Sequence, residues 1–307
     1  MALGAGHVTT TTAANFIPEV WSDEIIAAYE KKLVAANLFK SMDFTGKKGD
    51  TIHIPTPSRA TAAQKVAQTA VDYTAATEGE VQVLINQHWY VARLIEDIVK
   101  VQALGSMRQF YTEDLGYALA RKIDSDLLAL GRGFNGGGGT TAYSGALSGA
   151  DGTTAYVAGA NTGVGALTDA AIRRTIQRLD DNDVPEDGRF IVVPPSTRNT
   201  LMGLARFTEQ SFTGEVGGAN TIRNGQIGNL YGVPVYVTSN ADTTSGSTPT
   251  RVVLIGHRDA AVLVQQMKPR VKTEYDLDYL SDKMVTDVLY GVKELRDGSA
   301  YALAVPA

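Results

Sequence analysis

The chain has no cysteine, which excludes disulfides, thiolate-bound zinc and iron–sulfur clusters. Basic charge is also short: 28 Lys and Arg stand against 33 Asp and Glu, a net charge of −5, so no surface-wide grip on nucleic acid is expected. Long hydrophobic runs are missing. The longest uncharged stretches, residues 133 to 150 and 224 to 241, are interrupted by glycine and polar residues, so no segment is expected to cross a bilayer. The opening string MALGAGHVTTTTAANF lacks a basic start and an apolar core, so no secretory signal is expected either.

Catalytic signatures are absent in the same way. There is no GxGxxG, GxxxxGK[ST] or GxSxG string, so neither a phosphate cradle nor a nucleophile elbow is expected. The four histidines, His7, His53, His88 and His257, form no metal-spaced pair and read as surface or edge residues. The acidic run from 180 to 187 has Pro185 where a calcium loop needs its ligand spacing, so it reads as a solvated turn ending a helix. Carboxylate pairs such as Glu78 with Glu80, or Glu96 with Asp97, read as solvation and helix-dipole complementation. No catalytic, metal or cofactor-binding residue is assigned, and no enzyme activity is expected.

What is present points to shape. With 307 residues and 44% hydrophobic content, about two globular units are expected. Residues 1 to 15 read as an extended arm. Ile17, Val20, Trp21, Ile25, Tyr29, Leu33 and Ala36 follow with helical spacing, Pro18 sitting in the first turn. A strand at 51 to 55 and an alternating stretch at 80 to 90 flank about twenty residues poor in apolar bulk, which predicts a long projecting hairpin. From Leu94 through Ile98, Leu104, Tyr111, Leu119 and Leu127 to Leu130, apolar residues keep three- and four-residue steps. That predicts one helix of about ten turns, roughly 50 Å long.

Residues 131 to 165 are rich in glycine and read either as a linker or as an inserted loop with local β structure. A helix is expected from Thr168 and Asp169, followed by strands at 190 to 194, 233 to 237, 251 to 255 and 261 to 264 with a helix near 196 to 205, a mixed α/β unit. Strands near 270 to 275 and 284 to 292 form a closing ribbon, and 300 to 305 is one more strand. The projections leave groups that one compact subunit cannot cover, so assembly with further copies is expected.

Four strings carry a resemblance: LDDNDVPEDGRFIVVPP at 179 to 195, NTIRNGQIGNLYGVPVYVTSN at 220 to 240, LIGHRDAAVLV at 254 to 264 and YGVKELRDGSAY at 290 to 301. In this order they resemble the major capsid proteins of tailed double-stranded DNA bacteriophages with the Hong Kong 97-type fold, nearest in look to short-tailed, podovirus-like phages. The resemblance covers nearly the whole chain. It implies an α+β fold: an N-arm at 1 to 40; a P-domain at 41 to 55, 92 to 133 and 265 to 307; an E-loop at 56 to 91; the glycine-rich segment at 134 to 165; and an A-domain at 166 to 264. It implies a structural protein forming hexamers and pentamers of an icosahedral shell around the genome, assembled in the host bacterial cytoplasm and located in the virion.

Implied partners are copies of the chain, a separate scaffolding protein, a portal protein at one vertex, a decoration or cement protein, and packaged DNA touched weakly inside; no membrane and no cofactor are implied. Expected contacts are Arg59, Lys65, Asp72, Glu78 and Glu80 in the E-loop, Arg206, Phe207, Phe212, Glu215 and Arg223 around the capsomer axis, and Phe16 and Trp21 in the N-arm. Some relatives join an E-loop lysine to a neighbour's asparagine; here Lys65 reads as an ordinary charge contact. The alternatives are an encapsulin-like nanocompartment shell, which would need an inner groove for a cargo peptide, and a soluble α/β enzyme, which would need one compact pocket in a small oligomer.

Overall fold

The computed structural model describes residues 34 to 56, 60 to 71, 73, 75, 78 to 98, 107 to 137, 143 to 157, 163 to 204, 228 to 244 and 250 to 307. The expected helix beginning at Ile17 falls outside these residues. The described elements are α1 (Ala35–Leu38), β1 (Lys40–Asp43), β2 (Thr51–Thr56), β3 (Gly79–Leu84), β4 (Gln87–Glu96), α2 (Met107–Ala129), β5 (Leu147–Ser148), α3 (Asp169–Asp181), β6 (Arg189–Val193), α4 (Pro195–Met202), β7 (Asn229–Leu230), β8 (Val233–Val237), β9 (Thr243–Thr244), β10 (Thr250–His257), β11 (Ala261–Asp276), β12 (Ser281–Glu294) and β13 (Ala300–Pro306).

The strands make three sheets. A four-stranded sheet has the order β1-β11-β12-β4, a seven-stranded sheet runs β5-β13-β10-β6-β8-β7 with β9 also on β10, and β2 pairs β3 alone. β11 and β12 form a long antiparallel ribbon from Ala261 opposite Glu294 to Asp276 opposite Ser281. Its register is irregular between Met267 and Arg270, where Pro269 has no N–H to give to a ladder.

α2 bridges the two larger sheets. Leu115, Leu119, Ile123 and Leu127, each four residues after the last, are all buried, so one stripe of the helix faces inward. Leu115 packs with Ile95 and Met284 of the ribbon. Further along, Leu119, Ile123 and Leu127 share a core with Val288 and Tyr290 of β12 and with Phe190, Val192 and Leu254 of the seven-stranded sheet. The opposite face of that sheet is covered by Ile172, Leu179 and Leu201 from α3 and α4. Thr168 caps α3 by accepting the Ala171 N–H at 3.2 Å, as Thr-Asp at a helix start allows.

Several expectations are corrected. The helix expected from Leu94 does not start there: Leu94 lies in β4, and the described helix runs from 107 to 129, about 35 Å at 1.5 Å per residue. Leu94 and Ile98 match helical spacing, but Val91 and Ile95 also pack inward on a strand, and pairing with β12 decides between the two periods. The arm expected at 80 to 90 is two strands, β3 on the hairpin and β4 on the four-stranded sheet, divided at Ile85 and Asn86.

Residues 261 to 264 were grouped with the mixed unit but pair with β1 and β12, whereas 300 to 306, expected beside the ribbon, form β13 in the seven-stranded sheet. Alternation shows a strand without showing its partner. The described part of 134 to 165 is no linker: Tyr143, Ala146 and Tyr156 are buried against Val252, Ala302 and Ala304, and β5 pairs β13. His257 is likewise buried, its Nε2 against the Asp187 carbonyl oxygen at 2.7 Å and its Nδ1 accepting the Asp259 N–H at 3.1 Å.

Candidate assembly surfaces

The first surface is the β2–β3 hairpin and its loop. Its register runs from Thr51 opposite Leu84 to Thr56 opposite Gly79, and the described residues between the two strands, 60 to 71, 73, 75 and 78, are exposed. Two strands alone are marginally stable in water. The base is therefore anchored: Val83 and Ile85 pack with Val262 and Val264, and Met42, Ile52 and Leu289 close around them. Beyond the base the loop exposes apolar groups, with Tyr73 at 96% and Val66 at 67%. Lys65 and Glu78 are exposed, and Glu80 is bound to Gln82 at 2.5 Å and His53 at 3.0 Å. Those two bonds, Gln82 first, hold the Glu80 carboxyl below its ordinary range.

The second surface, missed in the sequence, is the far end of the ribbon. Leu277, Tyr279 and Leu280 in its turn and Ile98 after β4 are 60 to 77% exposed. A polar frame holds them out. Tyr275 donates to Asp97 Oδ2 at 2.6 Å, the Asp97 N–H donates to the Leu280 carbonyl at 3.1 Å, and Lys283 is paired with Asp276. The signal was available in the string DLDYLSD, where three large apolar residues fall within a turn of acidic ones.

On the face of the ribbon turned away from α2, Arg270 binds Asp287 through Nε at 2.8 Å and Nη2 at 2.9 Å, with His88 3.4 Å from the same carboxylate. Arg270 first, and His88 after it, hold Asp287 down to about 2. On the opposite face Lys122 of α2 lies 4.4 Å from the Trp89 ring centre and 2.5 Å from Asp126, which accepts the Tyr290 hydroxyl at 2.6 Å. The first group ties β11, β12 and β4 together, and the second ties that sheet to α2.

A third arrangement ties the start of the described chain to the body. Asp124, 1% exposed on α2, accepts the N–H groups of Val34 and Ala35 at 2.9 and 2.7 Å through Oδ1 and the Asn240 amide at 2.8 Å through Oδ2. The sequence offered no signal for it beyond an acidic residue on a helix.

Of the residues expected to make contacts, Lys65, Glu78 and Glu80 are brought onto one hairpin. Arg59, Asp72, Phe16, Trp21, Arg206, Phe207, Phe212, Glu215 and Arg223 lie outside the described residues. Two clefts among the described residues, about 360 and 290 Å³, are lined by groups such as Asp114 and Lys122, or His257 and Asn182, that already bond within the subunit. None of the described helices is long and apolar enough to cross a membrane.

Two sheets bridged by a helix, with bare apolar side chains on the hairpin loop and the ribbon end, fit a subunit that assembles with others. The chain belongs to the phage capsid protein family, whose sequence pattern matches residues 95 to 302. Similar solved structures span almost all of it: one from Mycobacterium phage Che8 (26% identity, TM-score 0.75, 94% of this chain and 97% of that one) and the capsid of the cyanophage P-SCSP1u (16%, 0.74, 99% and 96%). The mature capsid of bacteriophage PhiM1 is similar too (13%, 0.73, 99% and 97%). No curated protein matches the chain. The fold is the Hong Kong 97-type α+β capsid fold, and the chain is a structural, shell-forming virion protein, not an enzyme.

Proposed function

We propose that this chain is the major capsid protein of a tailed double-stranded DNA phage, of the short-tailed kind, building hexamers and pentamers of an icosahedral shell around the genome in the host bacterial cytoplasm. The observation that carries this reading is the family match combined with the large apolar side chains that one subunit leaves bare beyond the β2–β3 hairpin, Val66 and Tyr73, and at the ribbon end, Leu277, Tyr279 and Leu280. In this reading the loop, with Arg59, Lys65, Asp72, Glu78 and Glu80, lies across a neighbouring subunit. Residues 1 to 40, with Phe16 and Trp21, reach the next capsomer, and Arg206, Phe207, Phe212, Glu215 and Arg223 surround the capsomer axis.

The seven-stranded sheet with α3 and α4 corresponds to the A-domain. The four-stranded sheet with α2 corresponds to the P-domain, from which β13 departs. Scaffolding, portal and decoration proteins are partners in this reading, and the negative net charge suits an inner wall that holds DNA weakly. Distributed contacts summing well beyond a standard interface of about 1,600 Å² make the shell strong while each contact stays weak.

The test replaces Leu277 and Tyr279 together by Glu. Both are exposed, so subunit folding is expected to stay intact while shells are lost in electron micrographs. Normal shells from this variant would remove the ribbon end from the assembly contacts.

A further inference from the structure

We propose that the hairpin loop of one copy docks on the ribbon end of a second copy, Lys65 lying beside Asp278 while Val66, Val71 and Tyr73 cover Leu277, Tyr279 and Leu280. The inference rests on the assembly reading above and names the partner of each bare surface. Val66, Val71 and Tyr73 on the loop, and Leu277, Tyr279 and Leu280 at the ribbon end, are all more than half exposed. Apolar groups of this size left in water mark contact sites, and their removal from water drives closure. Loop and ribbon end are bare in the same chain, so what covers each of them comes from outside that chain.

Charge decides which surface meets which. Lys65 is the only charged residue from 60 to 71. The ribbon end has the opposite sign: Glu274, Asp276, Asp278 and Asp282 fall between 274 and 282 with no basic residue among them, and Glu96 stands opposite Ser281. Lys283 is paired with Asp276, whereas Lys65, Asp278 and Glu96 are exposed and have no partner of opposite charge among the described residues. Ribbon end against ribbon end would set these carboxylates against one another, and loop against loop would oppose two Lys65 ammonium groups. Loop on ribbon end joins opposite charges and covers both apolar sets. Such a contact is heterologous: each copy gives a loop and receives one, so it extends from copy to copy, where a two-fold contact stops at two.

Both partners are shaped before they meet. In the loop, the Thr69 N–H and hydroxyl donate to the Val66 carbonyl at 3.3 and 2.6 Å, and Gln68 takes a φ of +66°, closing a turn that presents Lys65 and Val66. At the ribbon end Leu280 has a φ of +44°, unfavourable for leucine, and the Asp97 N–H holds its carbonyl at 3.1 Å. Turns already closed in the free subunit lose less freedom on docking.

The chain has no cysteine, so introduced ones report without background. Val66→Cys and Leu277→Cys are placed together in the full-length chain, and the shells it forms are oxidised and run on a denaturing gel. Ladders of three or more joined copies are expected, with each single-cysteine variant running as one copy. Charge reversal reads the same contact without a crosslink, and does so even where the cysteines hinder assembly. Lys65→Glu should raise the concentration at which shells form roughly fivefold, and adding Asp278→Lys should restore most of it. Shells without ladders, Leu277→Cys alone linking copy to copy, or a reversed pair that restores nothing would each overturn the pairing and leave the assembly reading standing. An unaltered chain that forms no shells would overturn both.

Discussion

Replacing Asp124 by Ala removes the acceptor for three donors at once: the N–H groups of Val34 and Ala35 and the amide of Asn240. The site is 1% exposed, so water cannot take over without opening the packing. At about 1 to 2 kcal/mol for each of the three buried donors left unpaired, the loss comes to about 3 to 6 kcal/mol, a large share of the roughly 5 to 15 kcal/mol that holds a domain folded. Urea denaturation of unassembled subunits measures it.

Asp124→Asn keeps an acceptor for the two backbone groups but sets its own amide against that of Asn240, costing about 1 to 2 kcal/mol. Adding Asn240→Asp to that variant restores a donor facing an acceptor and should return most of the loss. Asn240→Asp alone places two carboxylates together in a buried site and should be the least stable at neutral pH, improving on acidification. A loss under 1 kcal/mol for Asp124→Ala, or a double variant worse than both single ones, would refute the reasoning.

Three further outcomes are expected. Asp287 is held at about 2, below the usual 3.8, so its bond to Arg270 stabilises the fold above pH 3.8 and fades as pH falls toward 2; Arg270→Gln should flatten that acid limb in pH-dependent melting. Gly291→Ala would put a Cβ 2.4 Å from the Leu84 backbone carbonyl, so it should destabilise by about 2 kcal/mol or more and raise exchange of β3 amides. Leu127→Ala empties a fully buried site between the two sheets and should cost about 2 to 5 kcal/mol in denaturant titration.

Local patterns were legible and long-range pairings were not. Thr168 with Asp169 announced a helix, the hydrophobic string at 190 to 193 announced a buried strand, and the polar stretch between two alternating arms announced the hairpin. Each signal depends on a few neighbouring residues. The assignment of β13 to the far sheet depends on partners about 50 residues away and that of Leu94 to a strand on a partner about 190 residues away, and no periodicity reports them.

At the candidate surfaces the same limit applies. Lys65, Glu78 and Glu80 could be placed on a projecting loop because loop composition is local. The ribbon end was overlooked because exposure of Leu277 and Tyr279 follows from how Asp97, Tyr275 and Lys283 brace the turn. Asp124 carries no signal in the sequence beyond being an acidic residue on a helix, because packing alone brings its partners to it.

The central claim is that this chain builds a shell, and electron microscopy with light scattering on the purified protein, alone and with a scaffolding protein, tests it most directly. The account predicts closed particles tens of nanometres across, tiled by rings of this one chain, with the 57 to 78 loop and the ribbon end at subunit boundaries. A monodisperse monomer or dimer under every condition would contradict it.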